Sequence, residues 1–392
     1  MKRQLRPFLK SKIGTDETIS QLDAHINTLQ TQFDVSYAGP LAGAQTGVLD
    51  FEGRKILVTD SPRILPSRPD EWPLLGKVLA NLLRDEHADQ RPYFYGWLKV
   101  AREALRSGIN RPGQALVMAG PRDCGKSLVQ NLITLLLGGR AAKPYGWMMG
   151  ATDFNAELFG AEHLMIEDEC ASTDIRARRN FGAQLKSVTV NTLQKCHQKN
   201  RTALNIEPFW RISITVNDEP ENLMVLPPID DSIGDKLILL RANKRPMPMP
   251  TTTQEDRRVF METLHAELPA FCHFLDEWEI PTELGSHRFG IAHYHHPELL
   301  QALEELAPET RLLQLLYVVP GSNWKGSQAQ LESLLTDSKA ATSFEARRLF
   351  SFNSACGTYL GRLAKKHPAL VQYSRTKTER LWTILPKVES PY

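Results

Sequence analysis

Short apolar runs alternate with longer amphipathic stretches through the middle of the chain. Three of these runs have the length of buried strands, and they occupy residues 115–119, 164–166 and 211–216. The apolar stretch over residues 128–137 is long enough for a buried helix, and a glycine pair follows it, as is common after a helix C-terminus. Alternating strands and helices predict an α/β fold, with an open parallel sheet between helices.

The chain that precedes this α/β region is patterned differently. Residues 18–33 have helical spacing, with Thr15 or Asp16 as candidate N-caps, and residues 48–58 predict a short hairpin. Residues 71–107 carry aromatic and aliphatic side chains at helical spacing. We expect this stretch to form a helical layer against the α/β region.

The chain that follows the α/β region predicts one more helix and a small terminal domain. Residues 253–275 are expected to be helical, with Pro269 breaking or kinking the helix. Two further helix candidates precede two strand-like runs with a basic connection, which is typical of a winged helix. A packing lid with a solvated hairpin is the alternative. We predict an N-terminal region of unknown role (1–70), a helical layer (71–110), the α/β core (111–250), a helical lid or linker (251–306) and a winged-helix-like domain (307–392).

A phosphate-binding motif follows the first buried strand. Backbone N–H groups of such a loop, together with the N-terminus of the next helix, bind phosphate oxygens. Lys126 is expected to reach the β- and γ-phosphates of ATP, and the Ser127 hydroxyl is expected to bind Mg²⁺. The order strand, loop, helix makes an ordinary glycine-containing turn the weaker interpretation. The motif reads Gly120-Pro121-Arg122-Asp123-Cys124-Gly125-Lys126-Ser127, followed by Leu128, and matches G-x-x-x-x-G-K-S.

The other two buried strands end in polar residues that suit ATP hydrolysis. The second strand ends in Glu167, Asp168 and Glu169. Asp168 is expected to hold Mg²⁺ and Glu169 to orient and deprotonate the attacking water. Glu167 is a rival for either role, and a plain acidic surface turn is the alternative. The third strand ends at Asn217, whose amide we expect to contact the γ-phosphate or the attacking water, because strand carboxyl ends border the crevice that binds ligands. Taken alone, Asn217 would more readily be interpreted as a turn cap, but its position at the end of the third strand of the series favours the phosphate contact.

Composition places the chain among ordinary globular proteins. Hydrophobic residues make up 42% and charged residues 23%. No apolar run is long enough to span a membrane, and no signal core follows the basic start, so we expect a cytoplasmic protein without a membrane partner. Five cysteines without a C-x-x-C pair indicate reduced thiols.

Charge is distributed unevenly although the net charge is only +2. Residues 176–201 contain seven Lys or Arg and no Asp or Glu. Two basic clusters on a nearly neutral chain indicate a polyanion partner, and two solvated surfaces are the plainer interpretation. The second cluster consists of Arg362, Lys365, Lys366, Arg375, Lys377 and Arg380.

The phosphate loop, the acidic strand, the basic segment and the Asn strand occur in one order. This order resembles the superfamily 3 helicases, an AAA+ branch found in viral, phage and plasmid replication proteins. More specifically, it resembles the primase-associated helicase domains of phages and mobile elements, and the resemblance covers residues 93–245. It implies an AAA+ core, assembly as a ring, expected to be a homo-hexamer, and ATP bound between subunits. A separate primase or another replication protein is a further candidate partner.

The resemblance also assigns nucleic-acid contacts. In this family the segment between the acidic strand and the Asn strand carries a Lys and then a basic β-hairpin, which grips single-stranded DNA in the channel of the hexamer. Lys186 occupies the Lys position, and Lys195, His197 and Lys199 lie on the implied hairpin. A Lys-rich segment without acids suits a channel that follows a nucleic-acid backbone.

One assignment departs from the family pattern. The family supplies an Arg finger to the ATP of the neighbouring subunit, from a position after the Asn strand. The best match here is Lys236, with Arg241 nearby. A Lys can neutralise charge but lacks the planar fork of Arg.

The sequence therefore predicts an ATP-dependent DNA helicase or translocase that acts in replication of a phage or other mobile element. A nucleotide-dependent DNA-binding switch or assembly ATPase, in replication initiation or anti-phage defence, is the first alternative. A metabolic P-loop kinase is the second, and the basic segment and the Asn strand argue against it.

Overall fold

The N-terminal residues form two helices and a small mixed sheet. The sheet has the order β1-β3-β2, and β2 and β3 form the predicted hairpin. The helix α2 begins after Ser20, whose hydroxyl accepts a hydrogen bond from the Asp23 N–H, so the expected caps Thr15 and Asp16 are wrong. These elements are α1 (Lys2–Leu5), α2 (Gln21–Gln32), β1 (Tyr37–Gly39), β2 (Gly47–Phe51) and β3 (Arg54–Val58). The structure, a computed structural model, describes residues 2–16, 18–86, 88–167, 175–200, 202–319, 323–350, 352–375 and 380–385.

Two helices, α3 (Pro73–Leu83) and α4 (Arg91–Ser107), follow where a helical layer is predicted. Proline occupies the first turn of each helix, where its missing N–H is not needed. Gly108 ends α4 in the left-handed conformation, with φ 67°.

The centre of the chain is a six-stranded sheet in which every strand pair is parallel. Its order is β13-β10-β4-β9-β6-β5. The elements of this part are β4 (Ala115–Ala119), α5 (Lys126–Leu136), β5 (Ala141–Ala142), α6 (Tyr145–Met148), β6 (His163–Glu167), α7 (Ile175–Val190), β7 (Gln194–Cys196), β8 (Leu204–Ile206), β9 (Arg211–Val216), α8 (Pro220–Leu223), β10 (Leu237–Arg241), α9 (Gln254–Glu277), β11 (Gly285–Ser286), β12 (Gly290–Ile291), β13 (Tyr294–His295) and α10 (Pro297–Glu305).

Both faces of this sheet are covered. Leu116 and Met118 of β4 pack into a cluster with α3, α4, α5 and α9, whereas Ala115 and Val117 face a second cluster that contains α7. Continuous apolar strands are what a parallel sheet buried on both faces requires. The predicted α/β class, with a parallel sheet between helices, is confirmed.

The helix α9 supports the layer formed by α3 and α4. The Glu267 carboxylate accepts hydrogen bonds from the N–H groups of Leu74 (3.0 Å) and Leu75 (2.7 Å), which satisfies the free donors at the start of α3. The helix continues through Pro269, so the expected break is wrong, and the alternative of a kink stays a prediction.

The C-terminal residues have a core of their own. Its centre includes Leu312, Leu360 and Trp382. The sheet is antiparallel with the order β14-β16-β15, and the basic connection 376–379 lies outside the described residues. The winged-helix assignment and the domain boundaries stay predictions. The elements are α11 (Pro308–Val318), β14 (Trp324–Ser327), α12 (Gln328–Thr336), α13 (Ser343–Leu349), α14 (Ala355–Lys366), β15 (Val371–Arg375) and β16 (Arg380–Ile384).

None of the helices in the described ranges combines the length and the apolar character that are needed to cross a membrane.

Candidate nucleotide site and nucleic-acid interface

The carboxyl ends of four parallel strands meet at one edge of the sheet. Ala119 of β4 pairs with Val216 of β9 on one side and with Arg241 of β10 on the other. Glu167 of β6 pairs with Thr215, one residue earlier on β9. The phosphate loop, Asn217 and the start of the acidic triplet therefore leave the sheet side by side.

The backbone of the phosphate loop adopts positive φ angles, which glycine tolerates best. Gly125 has a φ of 103° and Asp123 a φ of 57°, so the loop makes a left-handed turn before α5 begins at Lys126. A Cβ on Gly120 would lie 2.1 Å from the Ala242 carbonyl oxygen, so no larger residue fits there. The loop is thus seated directly on the chain that follows β10.

The side chain of Lys126 is buried, and its hydrogen bonds are satisfied within the site. Its Nζ atom donates to the carbonyl oxygens of Gly120 and Pro121, each at 2.7 Å. It also lies 3.2 Å from Oδ1 of Asn217. The structure therefore brings together Lys126, which the sequence analysis assigns to the β- and γ-phosphates, and Asn217, which it assigns to the γ-phosphate or the attacking water.

These groups line a cavity of about 620 Å³, which we call the loop cavity. That volume lies within the roughly 300–1,000 Å³ typical of small-molecule sites. Backbone N–H groups at a helix N-terminus and a lysine suit a phosphate chain, so these residues fit a nucleoside triphosphate. Asn222, which the sequence analysis did not single out, also lines the cavity. The lining residues that were assigned to ATP are Arg122, Asp123, Cys124, Gly125, Lys126, Ser127, Leu128 and Asn217.

The acidic part of the site is described only in part. Glu167 ends β6, and its carboxylate lies 3.5 Å from the Lys143 ammonium. Asp168 and Glu169, expected to bind Mg²⁺ and to activate water, lie outside the described residues. Ser127 is an exposed residue at the start of α5, and its hydroxyl is the expected Mg²⁺ ligand.

Glu219 is a residue near the loop that the sequence analysis missed. Its pKa is lowered, chiefly by hydrogen bonds from its own backbone N–H and from Asn222, with the charges of Arg122 and Lys126 adding to them. Its carboxylate is thus ionised within the electrostatic reach of the phosphate-loop cations. The sequence could have indicated Glu219 as a site residue, because it follows Asn217 by only two positions.

Two buried side chains that the sequence analysis did not single out hold α5 on the sheet. The Gln130 amide donates to the carbonyl oxygens of Ile166 and Ser213, each at 3.2 Å, and accepts from the Thr215 hydroxyl. His163 bridges Thr134 of α5 and Ser213 of β9, with both ring nitrogens 2.7 Å from a hydroxyl oxygen. These contacts fix the helix that begins at the phosphate loop.

The two finger candidates lie at opposite ends of β10. Lys236 precedes the strand, and its ammonium is 2.6 Å from the Asp235 carboxylate. Arg241 ends the strand at the same edge as the phosphate loop and pairs with Glu298. Within one chain, Lys236 is remote from the loop and Arg241 is the nearer of the two.

The basic segment contains the implied hairpin. The strands β7 and β8 pair antiparallel, with Lys195 opposite Asn205. Lys195 and Lys199 are exposed, and His197 is half-buried. Three of the four residues predicted to contact nucleic acid thus lie on one short hairpin.

The buried Asn155 holds this hairpin in place. Its side chain donates to the Lys195 carbonyl oxygen (2.9 Å) and accepts from the His197 N–H (2.8 Å). The neighbouring Phe154 is 43% exposed, and its ring centroid lies 5.0 Å from that of His197. An exposed aromatic ring beside a basic hairpin is the kind of group on which bases of a single strand can stack. Sequence reasoning missed both residues because they precede the hairpin by 40 positions.

Lys186, the fourth predicted contact, lies elsewhere. It is on α7, and its ammonium is hydrogen-bonded to the Ser232 hydroxyl. The helix α7 connects the end of the acidic segment to the hairpin, so Lys186 is adjacent to the hairpin in the chain but not part of it.

Comparisons with known proteins give a likeness of fold. No protein-family model and no curated protein sequence matches the chain. The chain is similar in structure to the apo C-terminal region of NrS-1 in its A form, with a TM-score of 0.53, 12% identity, and coverage of 94% of this chain and 91% of that one. A second apo structure of that region (residues 305–718) matches with a TM-score of 0.52 and 12% identity, and the match covers 94% of this chain and 91% of that one. An active helicase, SCCmec type IV Cch, matches at a TM-score of only 0.29, with 10% identity over 89% of this chain and 63% of that one, which is too low to indicate a shared fold.

Proposed function

We propose that this chain is an ATP-driven motor on single-stranded DNA, a translocase or helicase. The observation that carries the proposal is the contact between Lys126 and Asn217, 3.2 Å apart, inside a cavity bordered by the phosphate loop. A phosphate-loop lysine next to a polar residue from the neighbouring strand can report whether a γ-phosphate is present, because both groups would contact it.

The roles of the remaining residues follow from this assignment. The backbone of residues 120–125 and Lys126 would hold the phosphate chain of ATP. Mg²⁺, held by Ser127 and Asp168, would neutralise the phosphate charge, and Glu169 would activate the attacking water. The hairpin with Lys195 and Lys199 would contact the phosphates of the strand.

The larger assembly belongs to the same proposal. On this view the core is of the AAA+ type, the C-terminal residues form a winged helix, and chains assemble as a hexamer with ATP between subunits. Arg241, which lies at the phosphate-loop edge, is then the better finger candidate than Lys236 by position within the chain. The setting we propose is replication of a phage or another mobile element, with a primase or other replication protein as partner.

A nucleotide-dependent switch that binds DNA without unwinding it is the second candidate. It is favoured by the ion pairs of both finger candidates, Lys236 with Asp235 and Arg241 with Glu298. A cation that is already paired must leave its partner before it can stabilise a transition state on another subunit. A slow ATPase would result.

ATP hydrolysis with and without single-stranded DNA, at low and moderate salt, tests these two functions. Stimulation by DNA that weakens as salt rises supports the motor, because contacts to phosphates release counterions. Strand separation on a forked duplex would then be measured. Hydrolysis that is indifferent to DNA favours the switch, and absence of any hydrolysis by a chain that binds ATP contradicts the motor.

A further inference from the structure

A second cavity, of about 240 Å³, lies between α7 and α14. We call it the α7–α14 cavity. The two basic clusters of the sequence, some 180 positions apart, meet here, because α7 belongs to the first cluster and the end of α14 to the second. The charged and aromatic side chains that line it are Arg178, Arg179, Lys186, Asp230, Tyr359 and Arg362.

Positive charge in this lining exceeds negative charge. Four of the lining side chains are cationic and Asp230 is the one acid among them. Asp230 is also engaged, since its carboxylate accepts from the Ser232 N–H at 2.9 Å and lies 4.0 Å from Arg362. Glu309, just behind Arg362, is shared between that guanidinium (3.5 Å) and the Lys366 ammonium (3.6 Å). These two acids offset part of the charge, chiefly that of Arg362, and the lining keeps a net positive charge because Arg178, Arg179 and Lys186 remain.

Arg178 supplies a donor that the protein leaves unused. One terminal nitrogen donates to the Leu226 carbonyl oxygen at 3.1 Å. The Nε atom is buried and has no hydrogen-bond partner among the described residues. A buried donor without a hydrogen-bond partner is unfavourable, so such a group is expected to meet a ligand or ordered water.

The remaining walls are apolar and hold the cations in place. Tyr359 is 3% exposed, and Pro227 packs so closely on α7 that a Cβ on Gly182 would lie 3.3 Å from it. The Arg179 guanidinium lies 4.0 Å from the centre of the Phe352 ring. Charges held beside apolar walls are less screened than those on an open surface, which strengthens their attraction for an anion.

We propose that the α7–α14 cavity binds a phosphate group between Arg178, Arg179 and Arg362. Several guanidinium groups around one small cavity match the geometry of a phosphate better than any neutral ligand would. The volume is below the range typical of whole small-molecule ligands, so one phosphate with its attached sugar is the expected occupant. The source is either the backbone of a single strand or a free phosphorylated compound. This site is separate from the loop cavity, and its occupancy does not depend on ATP hydrolysis.

The test uses the full chain with Arg179 and Arg362 both changed to Gln. The matched control is Lys339→Gln, which removes an exposed charge that lies outside both basic clusters and outside the cavity lining. Thermal unfolding without phosphate establishes that each variant is folded, and Arg179→Gln alone replaces the double variant if the latter is not. Each chain is then titrated with inorganic phosphate at constant ionic strength, followed by unfolding temperature, and with a fluorescent oligothymidylate without nucleotide, followed by anisotropy.

The parent and the control are expected to bind phosphate alike, and the double variant at least about tenfold more weakly, since each charged hydrogen bond lost is substantial. If oligonucleotide affinity falls with it, the source is a strand backbone. If oligonucleotide affinity is unchanged, the source is a free phosphorylated compound. Equal responses of all three chains to both ligands overturn the proposal. Because no arm contains ATP, this result is independent of whether the chain hydrolyses it.

Discussion

The Lys126 ammonium and the Asn217 amide oxygen lie 3.2 Å apart, which joins the phosphate loop to the end of the neighbouring strand. The ammonium has three protons, and they are accounted for by Asn217 and two loop carbonyl oxygens. A phosphate that reaches Lys126 must therefore replace at least one of these acceptors. If the loop binds a nucleotide, as proposed, binding and the position of the Asn217 side chain are linked for this reason.

Replacing Lys126 by Ala is expected to abolish nucleotide binding and hydrolysis. The substitution removes the one cation that is buried at the loop, whereas the backbone donors alone bind phosphate weakly. Binding is measured with a fluorescent ATP analogue and turnover by phosphate release. Lys77→Ala, an exposed lysine on α3, is the control. Full turnover by the Lys126 variant would show that the loop cavity is not the hydrolytic site.

Replacing Asn217 by Ala should separate binding from turnover. If Asn217 contacts only the γ-phosphate, ATP hydrolysis falls at least about tenfold, equivalent to roughly 1.4 kcal/mol, while ADP affinity changes little. Steady-state hydrolysis and ADP titration measure the two effects. A parallel loss of ADP affinity would mean that Asn217 serves the geometry of Lys126 and not the recognition of a third phosphate.

Removing the two exposed hairpin lysines should weaken the binding of single-stranded DNA and reduce its dependence on salt. For single strands each lost phosphate contact changes the slope of log affinity against log salt by about 0.7, so Lys195→Ala with Lys199→Ala should reduce it by about 1.4. Anisotropy over a range of salt concentrations measures the slope. The control is Lys339→Ala, an exposed lysine of the C-terminal residues. An unchanged slope contradicts the hairpin assignment.

Phe154 offers a test of base stacking. Truncation to Ala is expected to lower the affinity for single strands roughly tenfold, because one stacked base contributes about 1–3 kcal/mol. Phe154→Tyr should retain the affinity, since its ring is preserved. Phe344→Ala is the matched control, because that ring is exposed too but belongs to the C-terminal residues. Equal affinities of the Ala and Tyr variants at position 154 would rule out stacking.

His163 predicts how stability depends on pH. Burial lowers its pKa to about 3, so the folded protein keeps the ring neutral while the unfolded chain takes up a proton below about pH 6.5. The free energy of unfolding should therefore fall with decreasing pH, by about 1.4 kcal/mol per unit and about 2 kcal/mol by pH 5 from this residue.

Chemical denaturation of His163→Gln tests that effect. The amide can still reach the hydroxyls of Thr134 and Ser213 but does not titrate, so this variant should lose less stability than the parent between pH 7 and pH 5. The same loss in both chains would show that His163 does not determine the acid sensitivity.

The sequence predicted the parts of the fold that a local pattern determines. The buried strands at 115–119 and 211–216 are found where continuous apolar runs indicate them, and the phosphate loop is recognisable because its glycines are needed for its turn. The two-residue strands β5 and β13, by contrast, are too short to leave a pattern. They form only because the folded sheet offers unpaired backbone N–H and C=O groups along β6 and β10.

Hydrogen bonds between buried polar side chains could not be predicted from the local sequence, for a different reason. A glutamine such as Gln130 or an asparagine such as Asn155 looks the same in the sequence whether it is solvated or buried, because its partners lie far away along the chain. The same holds for Ser20, which caps α2 because its hydroxyl happens to meet the Asp23 N–H, although Thr15 and Asp16 are chemically as suitable. The α7–α14 cavity likewise exists only once two remote basic segments are folded together.

The helix α7 has 16 residues, which corresponds to a length of about 24 Å. It starts shortly after the acidic strand end and leads, after Val190, into the hairpin that carries Lys195. Its flank carries Arg178 and Lys186 into the α7–α14 cavity. A helix resists bending, so if the proposed function holds, a displacement of the N-terminal end of α7 would move the hairpin by a similar distance, and a phosphate bound in the α7–α14 cavity would restrain that movement.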